Sequence, residues 1–195
     1  MIYGNFTIIC WSSMVIHESH YWKAPLVRAA GWLNLLRVND KNSEAALARA
    51  EREIFIGFYA IRKLLSAFKL SESTKQLKYE IEWFPGKPGR AVDYFNRSEI
   101  DELFDLNQKS VETRDIGFLC NQVVHSFIFI ITLGEKGELE GFFLTSDTMR
   151  YRRLYFVSIG SVLHAFRTVG KDYPSKQSLK RNEETGQWEA SDGEP

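Results

Sequence analysis

Two spacings of apolar residues alternate along this chain. From residue 43 to 69 the apolar positions recur at steps of three and four: Leu47, Ala50, Ile54, Phe58, Ile61, Leu65 and Phe68. That spacing predicts a single helix about seven turns long with one buried stripe. Asn42 or Ser43 suits its N-cap, Glu44 complements the positive end of its dipole, and Lys63 and Lys69 suit the other end. A shorter helix is expected over 24–37, with Pro25 in its first turn and Leu26, Ala29, Ala30, Leu33 and Leu36 on one face. Ser98, with Asp101 three positions on, opens another short helix. A further helix is expected from about Val111 to Ser126, buried through Ile116, Leu119, Cys120, Val123 and Val124. A final one carries Ile159, Val162, Leu163, Phe166 and Val169, with Ser158 or Ser161 near its start and Gly170 as C-cap.

Elsewhere the period drops to two or the run turns β-branched and aromatic. Leu77 to Phe84 alternates through Leu77, Tyr79, Ile81 and Trp83, and Pro85-Gly86-Lys87-Pro88-Gly89 ends it. Phe127 to Leu133 and Leu139 to Thr145, separated by Gly134 and Gly137, predict a hairpin, and Leu154 to Ser158 a third strand. The expected fold class is α+β: a helical bundle, with 43–69 as its spine, carrying a small three-stranded antiparallel sheet in the C-terminal half. One domain is expected over 1–173. Residues 1–22 receive no firm assignment, and the polar tail 174–195 is expected to be disordered.

Composition narrows the functional classes. Lys plus Arg equals Asp plus Glu at 25 each, so the formal net charge is zero and any basic site must be local. The two cysteines, Cys10 and Cys120, are far apart in apolar surroundings, which suits reduced, buried thiols better than a disulfide. The run Phe6 to Ile16 lacks the basic flank and small-residue cleavage site of a signal peptide, and no stretch is long enough to span a membrane. These features lead us to expect a cytoplasmic protein with no membrane association. His17 and His20 lack a third ligand nearby, and no cysteine spacing or phosphate-loop pattern is present, so neither metal nor cofactor is expected.

Two clusters could carry chemistry. In Leu119 to Ser126, Asn121 and His125 are four apart and share a helix face. Arg114, eleven residues before His125, would point in nearly the same direction were the helix continuous. Histidine exchanges protons near neutral pH, and an amide can orient it or bind a phosphate oxygen. The plainer alternative makes His125 a structural residue at a helix end and Asn121 a local hydrogen-bonder. The second cluster, Arg150, Tyr151, Arg152 and Arg153, could hold a phosphate backbone and stack on a base. Its plainer alternative is a solvated turn with Arg150 paired to Asp147.

The first cluster is similar to the signature of HEPN domains, helical domains of prokaryotic defence and toxin systems that process nucleic acid or bind nucleotides. That signature runs Arg, often Asn, a few residues, then His. Asn121 and His125 match it, and Cys120 stands at the Arg position. The resemblance covers about two helices of the chain. It implies metal-independent RNA cleavage by dimers that join two motifs across one cleft. His125 would then act on a ribose hydroxyl, with Arg114 or a second subunit's Arg supplying the guanidinium. The expectation is therefore a HEPN-like accessory protein of a bacterial defence or toxin–antitoxin-type system. It would bind RNA or a protein partner, as a homo-oligomer or in a complex, with or without ribonuclease activity. The rival expectation is a non-enzymatic assembly subunit that uses helix 43–69 as its interface.

Overall fold

The computed structural model describes residues 18–174, 177–183, 186 and 188–192. The N-terminal stretch 1–17, with Cys10 and His17, lies outside the described residues. In chain order the elements are α1 (His20–Leu35), α2 (Ser43–Ser66), the single-turn α3 (Glu72–Lys75), β1 (Lys78–Pro85), the single-turn α4 (Ile100–Leu103), β2 (Ser110–Asp115) and α5 (Ile116–Val124). They continue with β3 (Ser126–Leu133), β4 (Leu139–Ser146), β5 (Arg153–Ser158), α6 (Ile159–Lys171), β6 (Gln177–Arg181) and β7 (Trp188–Asp192).

The fold is α+β, but the expected helical bundle with three strands is not what forms. Five strands, each antiparallel to its neighbour, make one sheet in the order β2-β1-β5-β4-β3. The helices pack on one another and, as a layer, on one face of that sheet. Tyr79, Ile81, Phe142, Leu144, Tyr155 and Val157 share one core with the buried residues of α1, α2, α5 and α6. Phe84, Ile128 and Leu154 meet Val92, Leu103 and Phe104 of the connection 86–109 in a second core. Two hydrophobic clusters, one on each side, are what a sheet covered on both faces requires.

β2 is the strand that the apolar pattern hides. Of Ser110-Val111-Glu112-Thr113-Arg114-Asp115 only Val111 is apolar, and it is 57% exposed. An edge strand with polar side chains on both faces has no period-two hydrophobic signal. The strand stops because Asp115 turns to cap α5: its carboxylate accepts from the Phe118 N–H at 2.7 Å. α5 then joins the two outermost strands, β2 and β3, without a linker residue longer than its own caps.

α2 forms where expected and buries Ala46, Ala50, Ile54, Phe58, Ile61 and Leu64 in the protomer's own core. Its apolar stripe is therefore not free for a partner. Phe68, at a φ of 53°, turns the chain beyond its end. α1 begins at His20, a turn before the expected start, and keeps Pro25 inside it. Two glycines set how closely helices approach. A Cβ on Gly57 of α2 would lie 2.1 Å from the Phe166 ring of α6. Gly170 is not a left-handed cap as expected; it stays within α6, where a Cβ would lie 2.6 Å from Val27 of α1.

Lys23 is buried in the first turns of α1, with none of its surface exposed. Its ammonium donates to the Lys69 carbonyl (2.6 Å) and to the Asp172 carbonyl, beyond the ends of α2 and α6. The Asp172 carboxylate in turn accepts from the Ser71 N–H at 2.8 Å. Burial lowers the Lys23 pKa, with Asp172 acting against that shift. The tail that was expected to be disordered carries β6 and β7, paired from Gln177 opposite Asp192 to Arg181 opposite Trp188. Backbone pairing needs no apolar composition. Among the described residues no helix is long and apolar enough to cross a membrane.

Candidate functional site

α5 ends at His125, whose N–H donates to the Asn121 carbonyl at 3.1 Å. Both side chains are exposed. The His125 carbonyl accepts from the Asp147 N–H at 3.2 Å, so the end of β4 is tied to the start of β3. Arg62 of α2 approaches from the side, its Nη1 3.0 Å from His125 Nε2. A guanidinium has only donors, so Nε2 must be the acceptor in this contact. In that arrangement the ring donor is Nδ1.

Arg62 is the residue that sequence reasoning missed. It lies off the apolar stripe of α2 and reads as part of a solvated, charged face. The contact joins residues 63 apart in sequence and exists only because α2 packs on α5. Cys120, at the position where the resembled signature has arginine, is fully buried. Burial pushes its thiol up to about 12, against a smaller downward pull from Arg62. It is a packing residue, and the nearby guanidinium comes from another helix.

Arg114 does not join His125. It sits on β2, before the helix begins, so the helical projection from 114 to 125 does not apply. Its guanidinium grips Glu112 through Nε to Oε1 at 2.8 Å and Nη2 to Oε2 at 3.0 Å. Arg153, from the second sequence cluster, reaches the same carboxylate at 2.7 Å. Aromatic rings back both cations: Phe118 lies 4.7 Å from Arg114 and Trp83 4.1 Å from Arg153. Burial alone would raise the Glu112 carboxyl, but Arg114, with Arg153 beside it, holds it below the ordinary carboxylate range. The Tyr155 hydroxyl is buried beside them, with no hydrogen-bond partner in good geometry, and burial raises its pKa.

The basic loop is divided rather than gathered. Arg150 pairs with Asp147 at 3.2 Å and lies over the rings of Phe127 (4.5 Å) and Tyr151 (4.8 Å). Tyr151 and Arg152 are exposed, and Arg152 forms no ion pair among the described residues. α5 connects the two sets of residues. Phe118 at its start touches Arg114 and, at 5.4 Å between ring centroids, Tyr155. Gln122 in its middle accepts from the Ser146 N–H at 3.3 Å, and His125 ends it beside Asp147 and Arg62. α5 thus has Arg114 over Phe118 near its start and His125 with Arg62 of α2 at its end.

The other described histidines, His20 and His164, are engaged elsewhere. His164 Nδ1 lies 3.2 Å from the Tyr79 hydroxyl, which burial pushes up to about 12, and His20 Nδ1 lies 3.3 Å from the Tyr173 hydroxyl. Among the described residues no three His, Cys, Asp or Glu side chains gather as metal ligands would. Compared with protein-family models, curated proteins and solved structures, the chain matches none.

Proposed function

We infer that this chain is an RNA-binding accessory protein that engages phosphates along the flank of α5. The observation that carries this reading is the surface contact of Arg62 with His125 at 3.0 Å. It supplies a guanidinium beside the Asn121–His125 pair, the group that Cys120 cannot provide. A guanidinium with one of its donors on a neutral nitrogen keeps its full charge and its remaining donors for a phosphate oxygen. Asn121, exposed on α5, adds donors there, and Arg152, exposed in the loop after β4 and without an ion pair among the described residues, offers a further guanidinium. Membership of a HEPN-like defence or toxin–antitoxin system, with a cytoplasmic location, is the biological setting this reading adopts. That setting rests on Asn121 and His125 alone.

Binding is favoured over cleavage because the one lone pair of the imidazole ring is already taken by Arg62. A phosphate that draws Arg62 away would free Nε2 to accept a ribose hydroxyl proton, which is the route to ribonuclease activity. The test is titration of single-stranded RNA by fluorescence anisotropy at several salt concentrations. Affinity should fall steeply between roughly 50 and 200 mM salt. Arg62→Ala and Arg152→Ala should each weaken binding and flatten the salt slope by about one charge. A flat salt response in the wild type would overturn the reading. Cleavage is scored separately: turnover that His125→Ala abolishes without a change in Tm establishes an enzyme, and binding without turnover establishes a binding protein.

A further inference from the structure

The sheet has two free edges, and they differ in character. β2 shows Glu112, Arg114 and Asp115 along its length, charges of the kind that discourage pairing with another strand. β3, Ser-Phe-Ile-Phe-Ile-Ile-Thr-Leu, has eight residues with no charge and no proline. Irregularities in its pairing with β4 fall between Ser126 and Ile128 and between Thr132 and Leu133, leaving Ile128 to Thr132 in unbroken register. Along its outer side runs a groove of about 360 Å³, lined by Ser126 to Ile130, by Glu51 and Phe55 of α2, and by Arg97 and Ser98. The loop that carries Arg97 also leaves Phe95 90% and Tyr94 65% exposed. Unpaired backbone, an apolar strand and uncovered aromatics meet at this edge.

We propose that β3 pairs antiparallel with β3 of a second copy of this chain, joining two five-stranded sheets into one of ten. Three features select a second copy as the occupant. A two-fold axis normal to the sheet at Ile130 keeps each face on its own side. It sets Phe129 against the copy's Ile131 on the helix-covered face, apolar against apolar, and on the other face brings the two Ile130 side chains together at the axis with Ile128 beside the β-branched Thr132. The charges of α2, which lies beside this edge with Phe55 4.8 Å from Phe129, are also self-complementary. Among the described residues Glu44 and Glu51 form no ion pair, and neither do Arg62 and Lys63 at the opposite end of the helix. The first half of α2 sets Glu44, Glu51 and Glu53 against Arg49 and Arg52 and is slightly negative, while the second half holds Arg62 and Lys63 alone; a two-fold axis runs the two α2 helices antiparallel, so the slightly negative half of each faces the positive half of the other.

The full chain is tested by sedimentation and by amide exchange over a range of concentrations. The expected result is a species of twice 22.6 kDa. In parallel, amide exchange across 126–133 should slow as concentration rises. Ile130→Lys should weaken the dimer at least about tenfold. If that variant does not fold, wild-type exchange still decides the matter. Three outcomes would overturn the proposal: a monomer at every concentration, a dimer whose β3 amides exchange as freely as in the monomer, or β3 amides equally protected in a monomer.

Discussion

Replacing Lys23 with methionine keeps the length and bulk of the side chain and removes only the ammonium. Two carbonyls, those of Lys69 and Asp172, then lose a donor in a place that water reaches poorly. An acceptor stranded in this way costs about 1–3 kcal/mol. Against that stands a gain, because the folded protein no longer buries a charge; the lowered pKa of Lys23 is the sign that burial disfavours its charged form. The balance is a loss of about 2–4 kcal/mol, since loss of one partner from a buried charged contact outweighs the relief of desolvation. For a domain of this size each kcal/mol shifts Tm by roughly 2–4 °C, so Tm should fall by about 5–15 °C. The assay is thermal and urea unfolding at neutral pH, where the amine is protonated in the unfolded chain. Exposed Lys41→Met is the control and should stay within about 0.5 kcal/mol. If Lys23→Met lies within that same margin, the ammonium is not what ties the ends of α1, α2 and α6 together.

Gly57→Ala should destabilise by about 1–3 kcal/mol, although alanine is the better helix former, because its methyl must enter the space of the Phe166 ring; a stabilised variant in urea unfolding would refute this. Glu112→Gln tests the two-arginine grip. The folded pKa of Glu112 lies below its ordinary 4.5, so its stabilisation is complete above that pH and is lost as pH falls through the folded value. The gap in urea midpoint between wild type and variant should therefore be widest at neutral pH and close in acid; a gap that does not change with pH would contradict it. Cys120, buried and with its thiol pushed up to about 12, should resist alkylation in a Cys10→Ser background until the protein unfolds. Rapid native labelling would show that α5 opens readily.

What could be read from the sequence was whatever repeats along one element. The seam of α2 and the apolar runs of β3, β4 and β5 announce themselves because their periods are local. β2 does not, since Glu112, Thr113 and Arg114 are polar on both faces, and a helix drawn through them carried Arg114 to the wrong place. That error removed one strand from the expected sheet; the other missing one, β1, was visible as the alternation of Leu77, Tyr79, Ile81 and Trp83 but nothing local says that it pairs with β5, far along the chain. The Asn121–His125 pair was visible as a spacing. Arg62 was not, because nothing in its own neighbourhood distinguishes it from Arg49 or Arg52. The grip of Arg114 and Arg153 on Glu112 was equally hidden, as it joins positions 41 apart across β1.

The passage from β2 through α5 to β3 makes the first and last strands of the sheet neighbours in the chain. Laid flat, five strands would hold those borders about 19 Å apart. Nine helical residues span only about 13 Å. α5 is therefore a strut too short for a flat span, and the sheet must bow toward it as a bow bends to its string. Adding one residue to that strut would rotate His125 by about 100° and slacken the curve at both borders together.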